Sequence, residues 1–178
     1  MQDILIKNGK RGRGMNFNQK EWDDDDFFET LKQKYPFAVA KITGSAEYPE
    51  IEGEVWFYQT DDGVLVAADI ENLPKQNVCG GVFGFHIHEG NCCCGNEQDP
   101  FADTKGHYNP NGCPHPYHAG DLPPLFANDG EAWMAVLTNR FTLNEILSRT
   151  VVVHDKPDDF TTQPSGNSGR KIACGIIQ

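Results

Sequence analysis

The chain has 178 residues and a mass of 19.8 kDa, which is the size of one domain with a full hydrophobic core. Its formal net charge of −11 at pH 7 argues against nucleic acid and anionic membranes as partners. The sequence contains no apolar run of transmembrane length, and residues 1–15 lack the apolar stretch of a signal peptide. We therefore expect a soluble protein, and cytoplasmic location and export after processing both stay open.

The first 35 residues differ from the rest of the chain. Basic residues among glycines come first, and an acidic run at residues 23–26 follows them. Residues 23–34 predict a short helix with acidic residues at its start and lysines near its end, stopping before Pro36. We therefore expect an N-terminal extension over residues 1–35 and a single domain over residues 36–178.

From residue 37 onward, short β-prone runs alternate with turn residues, which is typical of an all-β sandwich or barrel. Strands are predicted at residues 37–43, 53–59, 64–70, 82–88, 132–138, 150–154 and 171–177. Asp62 and Gly63 separate the second strand from the third and favour a hairpin there. Helix is scarce, with at most one turn at residues 144–147. Residues 89–131 are mostly turn-forming, and a loop this long in a compact domain indicates a functional role.

The histidines are concentrated in and beside this loop. The chain has six of them, His86, His88, His107, His115, His118 and His154. His86 and His88 are two residues apart on a predicted strand, so both rings face one side and can reach one ion. Copper prefers imidazole nitrogens in a tetragonal arrangement. These two histidines, His154 and one further nitrogen would therefore form a copper site, although each signal alone is more typical of surface or structural histidines.

A second group of donors lies between residues 107 and 121. It consists of His107, His115, His118 and Asp121, and nearby prolines prevent the segment from forming a helix. Three imidazoles and one carboxylate form a complete tetrahedral set for zinc. The segment therefore predicts a zinc site.

These residues lie in motifs that strongly resemble those of the copper/zinc superoxide dismutase family. The motifs are GFHIHE, GHYNP, HAGDL, VVVHDKPDD and GNSGRKIACGII, and they occur in the family's order. The resemblance runs from about residue 37 to the C-terminus and does not cover residues 1–35. It implies an eight-stranded Greek-key β-barrel or sandwich with long metal-binding loops.

The resemblance also implies the role of each site residue. Copper would be held by His86, His88, His107 and His154, and zinc by His107, His115, His118 and Asp121, with the His107 ring bridging the two metals. Asp158 would be the carboxylate that links histidines of both metals. Cys174 would form a disulfide with Cys93, with Cys92 and Cys94 as alternative partners. Cys79 and Cys113 have no implied role and are either buried thiols or a second disulfide.

The activity implied by the resemblance is the dismutation of superoxide to dioxygen and hydrogen peroxide, with His107 as the proton donor. Lys171 stands where the family places an arginine near copper, and Arg170 precedes it. Lysine keeps the positive charge but lacks the rigid donor fork, so we expect reduced activity if Lys171 faces copper; a one-residue shift would present Arg170 instead.

The alternative function is a module that stores or delivers copper or zinc with little turnover. Family members often form dimers, but no apolar stripe marks an interface, so a homodimer is one alternative and the oligomeric state stays open.

Overall fold

The computed structural model describes residues 36–75, 78 and 80–178 of the chain. The helix predicted at residues 23–34 and Cys79 lie outside the described residues. Residues Tyr35–Gln178 form one compact unit of the chain, and all that follows concerns this unit. The division into an extension and a domain with its boundary after residue 35 stays a prediction. In the described part of the chain, no helix is long and apolar enough to span a membrane.

The described residues form an almost entirely β domain with nine strands. The strands are β1 (Ala38–Gly44), β2 (Glu52–Thr60), β3 (Gly63–Glu71), β4 (Gly81–Phe83), β5 (Phe85–His88), β6 (Leu125–Ala127), β7 (Ala132–Thr138), β8 (Thr150–His154) and β9 (Lys171–Ile176). The helical elements are a 3₁₀ turn (Ala102–Thr104) and the one-turn helix α1 (Leu143–Ile146). Seven strands form one antiparallel sheet in the order β5-β8-β9-β1-β2-β3-β7, and β4 pairs with β6.

The β4–β6 pair connects the two edges of the large sheet. β4 is followed by β5, one edge strand, after the single residue Gly84, and β6 packs against β7, the other edge strand. The curled sheet encloses a core of fully buried side chains that includes Phe57, Phe83 and Leu125. Burial of such apolar side chains is the main favourable contribution to folding. The predicted all-β barrel class is confirmed.

The strand at residues 82–88 was predicted as continuous, but the structure divides it at Gly84. The Gly84 N–H donates to the carbonyl of Lys156 at 2.7 Å, and its own carbonyl accepts from the N–H of His154 at 2.8 Å. A Cβ atom at this position would stand 2.8 Å from Cβ of Ser168, so only glycine allows this close approach. Counting β4 and β5 as one interrupted strand gives the eight strands of the family fold.

The remaining predicted strands agree with the structure to within one residue at either end. The hairpin between β2 and β3 is confirmed, with Thr60 paired to Gly63. Its two turn residues are therefore Asp61 and Asp62, one position earlier than predicted. β6 was missed because three residues within a long loop are too short for an alternating pattern to be recognised.

Candidate metal centre

β5 carries two buried histidines on one face and core residues on the other. His86 and His88 are 0% and 2% exposed, and Phe85 and Ile87 belong to the hydrophobic core. This arrangement follows from the two-residue period of a strand. His154 ends the neighbouring strand β8, which pairs with β5 from Thr150 onward.

The other edge of β5 is covered by the segment of residues 106–121. The N–H of Ile87 donates to the carbonyl of Gly120 at 2.9 Å, and the carbonyl of Ile87 accepts from the N–H of Tyr108 at 2.8 Å. Isolated bridges pair His86 with Asp121 and His88 with His107. The backbone therefore brings donors that are far apart in sequence to adjacent positions.

The predicted donors meet in two groups of four that share one residue. The first group is His86, His88, His107 and His154, and the second is His107, His115, His118 and Asp121. Within each group, the potential ligand atoms all lie within 4.8 Å of one another. The rings of His86 and His107 are stacked, with their centroids 3.9 Å apart. His107 is thus common to both groups, at the place where a bridging ligand would stand.

Several ring nitrogens in the centre are buried without a hydrogen-bond partner among the described residues. They are Nδ1 of His86, Nε2 of His107, Nδ1 of His115 and Nδ1 of His118. The last two lie 3.1 and 3.3 Å from oxygens of the Asp121 carboxylate but are not aligned for a hydrogen bond with it. The Nε2 atoms of His88 and His154 face each other at 3.3 Å. An unsatisfied buried polar group costs about 1–3 kcal/mol, so such clusters are unusual in a folded protein. Converging nitrogen lone pairs with one carboxylate fit a copper ion and a zinc ion.

The opposite ring nitrogens of the same histidines are held in place. Nδ1 of His88 donates to the carbonyl of Lys105 at 2.9 Å, and Nδ1 of His154 lies 3.3 Å from Oγ of Ser168. A hydrogen bond at one ring nitrogen fixes the tautomer and directs the other lone pair. For His88 this leaves the Nε2 lone pair facing the centre.

Asp158 connects the two groups. Its Oδ2 lies 2.8 Å from Nε2 of His86, and its Oδ1 lies 2.9 Å from Nε2 of His115. The carboxylate is buried, and Gly166 packs so closely that a Cβ atom there would collide with Asp158 and His115. The structure therefore places Asp158 between one histidine of each group, and its role as a link between the two metals stays a prediction.

Burial determines the charge of the centre. It lowers the pKa of His86 and His88 well below 6.5. For His154, burial first and then the charge of His107 lower the pKa to about 4. Burial alone would raise the pKa of Asp121, but the hydrogen bond from His107 and the charges of the nearby histidines lower it overall. At neutral pH these three rings are therefore neutral and the carboxylate is ionised, which are the forms that bind metals.

The two cations predicted near copper have carboxylate partners. The Arg170 guanidinium pairs with Glu47 at 2.8 Å and with Asp155 at 3.0 Å. Nζ of Lys171 donates to Oδ2 of Asp99 at 2.8 Å and to the carbonyl of Phe101 at 3.0 Å. The Lys171 side chain is 14% exposed and that of Arg170 is 60% exposed, so Lys171 is the more enclosed of the two.

The five cysteines among the described residues fall into three situations. Cys93 and Cys174 form a disulfide with their Cα atoms 5.7 Å apart, which ties the loop after β5 to β9. Cys92 and Cys94 are joined to each other. Cys113 is a half-buried free thiol.

The structure adds Arg140, which sequence reasoning missed. Its Nη1 donates to the carbonyls of Pro116, His118 and Asp121 at 3.4, 3.4 and 3.2 Å. These acceptors are backbone atoms of the segment that carries the second donor group. Side-chain spacing contains no signal for such contacts, because any residue offers a backbone carbonyl.

Comparison with known proteins gives consistent similarities. The family described as copper/zinc superoxide dismutase matches residues 51–177. The chain is 35% identical over 148 residues to the Cu-Zn superoxide dismutase of Legionella pneumophila, covering 79% of this chain and 86% of that protein. It is 33% identical over 144 residues to Cu-Zn superoxide dismutase 2 of Aquifex aeolicus, covering 72% and 80%.

Two solved structures are similar to the chain. The Cu/Zn superoxide dismutase from Brucella abortus superposes with a TM-score of 0.67 at 30% identity, covering 79% of this chain and 99% of that one. A double mutant of a SOD-like protein from Bacillus subtilis gives a TM-score of 0.64 at 28% identity, covering 78% and 95%.

Proposed function

Because the chain belongs to the copper/zinc superoxide dismutase family, we propose that it dismutates superoxide at the two donor groups described above. Membership makes it an oxidoreductase with superoxide as substrate and copper and zinc as cofactors. In this proposal His86, His88, His107 and His154 hold copper, and His107, His115, His118 and Asp121 hold zinc. The observation that supports it most is the convergence of buried, unpartnered ring nitrogens in two groups that share His107.

Copper, when bound, supplies the alternation of two oxidation states that oxidises one superoxide to dioxygen and reduces a second to hydrogen peroxide. The protein's own contribution includes one of the two protons that hydrogen peroxide formation requires. Nε2 of His107 is the atom that would hold it, since Nδ1 of the same ring lies 2.7 Å from Oδ1 of Asp121. Because zinc would be held by both His107 and Asp121, the ring would stay in position while the charge at Nε2 changes.

The other residues act by holding geometry. β5 and β8 fix His86, His88 and His154, and Asp158 connects His86 to His115. A carboxylate that bonds the far side of a ligating imidazole orients the ring and raises its basicity. Asp158 is therefore a positioning residue for both groups.

A metal-binding module with little turnover is the second candidate. The pairing of Arg170 and Lys171 with carboxylates favours it, because superoxide is an anion and local positive charge accelerates its approach. The complete copper set favours the enzyme, since a module that only stores or delivers metal gains nothing from ligands suited to a redox cycle.

The deciding experiment is superoxide consumption by stopped flow, on protein whose copper and zinc contents are measured in the same sample. We expect a fast, cyanide-sensitive rate that disappears when a chelator removes the metals. Tyr117→Phe, an exposed change in the loop of the second group, should retain the rate. A full metal load without turnover would contradict the enzyme and favour the metal-binding module.

We also propose that the chain forms a homodimer. Trp133 and Leu137 are four residues apart on the edge strand β7, and they are 41% and 52% exposed, so an apolar strip supports the proposal. Light scattering after size exclusion should give the mass of two chains, and Leu137→Glu should shift it to one. A wild-type mass of one chain would refute it.

A further inference from the structure

The positive charges beside the metal centre are neutralised by acidic residues on neighbouring loops. Arg170 is bonded to Glu47, to Asp155 and to the hydroxyl of Tyr48. It is directed toward this exposed cluster, and none of its described bonds involves a histidine of the centre. Of Arg170 and Lys171, only Lys171 is therefore left as a candidate to attract anions to the centre.

Two sets of contacts link Lys171 to the first donor group, which consists of His86, His88, His107 and His154. It is paired with His154 across the β8–β9 ladder, and its positive charge contributes to lowering the pKa of His154. The carbonyl of Phe101 accepts from both Nζ of Lys171 and Oγ1 of Thr104, and that Oγ1 lies 3.5 Å from Nδ1 of His88. Lys171 is thus linked to two of the four histidines, to His154 through the strand pairing and to His88 through Phe101 and Thr104.

We propose that Asp99 controls how fast anions reach the metal centre, because its carboxylate neutralises the ammonium of Lys171. This inference rests on the proposed function, in which superoxide is the anion. Nζ of Lys171 has three N–H donors, of which Asp99 and Phe101 occupy two. One donor remains for an anion, but the adjacent carboxylate cancels most of the attraction that brings the anion there.

The position of Asp99 explains why it can act in this way. It belongs to the loop that the Cys93–Cys174 disulfide ties to β9, and its Oδ1 accepts from the N–H of Phe101 at 3.0 Å. One carboxyl group therefore holds both the ammonium and the backbone that supplies the second acceptor. A positive and a negative unit charge in contact at a partly exposed site largely cancel, so the pair produces only a weak electric field at a distance.

The test compares Asp99→Asn with Asp103→Asn and Lys171→Gln in copper- and zinc-loaded protein. Asp103 is an exposed acid of the same loop, so its variant removes the same charge away from Lys171. We measure the superoxide rate and the dissociation constant of azide, an anionic copper ligand, from its visible absorption band. Both are recorded at 10 mM and at 500 mM ionic strength.

At low ionic strength we expect Asp99→Asn to raise the superoxide rate and to lower the dissociation constant of azide, each about threefold. Both changes should disappear at high ionic strength. Lys171→Gln should change both quantities in the opposite direction, and Asp103→Asn should stay near wild type. The inference is overturned if Asp99→Asn matches Asp103→Asn, or if its gain persists at high salt. A wild type without turnover would refute the proposed function, while azide binding would still decide the role of Asp99.

Discussion

Four ring nitrogens of the histidine centre are buried without a hydrogen-bond partner in the described structure, whereas the cations beside the centre, Arg170 and Lys171, each have a carboxylate partner. In the first region, the missing partners indicate that metal ions would complete the centre. In the second region the charges are already satisfied within the protein. The centre is therefore organised for metal binding, and the cationic region beside it attracts anions less than its two positive residues suggest.

Replacing the shared residue should have the largest effect. His107→Ala removes a donor from both groups, so we expect the superoxide rate to fall at least about 100-fold and zinc to be lost first. Metal analysis and stopped flow on one sample measure both quantities. If His107→Ala retained both metals and the rate, the two groups would not depend on a common ligand.

Replacing Asp158, which links the two donor groups, should have the second-largest effect. Asp158→Asn keeps the size of the side chain but cannot accept from both His86 and His115, so we expect metal affinity to fall about 10- to 100-fold. Competition with a chromophoric chelator measures this change. Asp159→Asn is the control, since the Asp159 carboxylate bonds only Thr161 and Thr162 in the described structure. Equal losses in the two variants would mean that loop folding rather than the Asp158 link is responsible.

The buried neutral rings predict a pH effect on the metal-free protein. His154 has a folded pKa of about 4 against 6.5 ordinarily. Between these values the unfolded chain binds a proton that the folded chain does not, so stability is lost as the pH falls through this window. For His154 alone, the free energy of unfolding should decrease by roughly 2 kcal/mol from pH 7 to pH 5. Urea unfolding with a chelator present measures it, and equal stability at both pH values would contradict it.

The smallest effect concerns Arg140. Its three bonds to backbone carbonyls are long, at 3.2 to 3.4 Å, so Arg140→Ala should weaken zinc binding by about three- to tenfold and copper binding less. Lys75→Ala removes an exposed cation that pairs with Asp129 and should change neither. Equal losses of both metals in Arg140→Ala would show that Arg140 supports the whole fold.

The strands and all the donors except the fourth copper nitrogen could be predicted from local patterns in the sequence, whereas the sharing of His107 followed only from the family resemblance. Alternation predicts β-strands, and the spacing of His86 and His88 places them on one face of β5. The order of the motifs assigned Asp158 and the Cys93–Cys174 pair, although neither follows from local physics. These assignments depended on the family resemblance.

Other features could not be predicted because they depend on contacts between distant loops. The break at Gly84 results from the close approach of Ser168. Arg140 bonds backbone carbonyls, and the partner of Lys171 is an acid 72 residues away in the sequence. The sequence identified Lys171 and Arg170 as cations, but it contained no indication that both would be neutralised.

The most direct test of the two-metal centre is a crystal structure of the loaded protein with diffraction recorded at the copper and zinc absorption edges. We predict a copper signal at nitrogens of His86, His88, His107 and His154, and a zinc signal at His107, His115, His118 and Asp121. A single metal site, or two sites that do not share His107, would contradict the account.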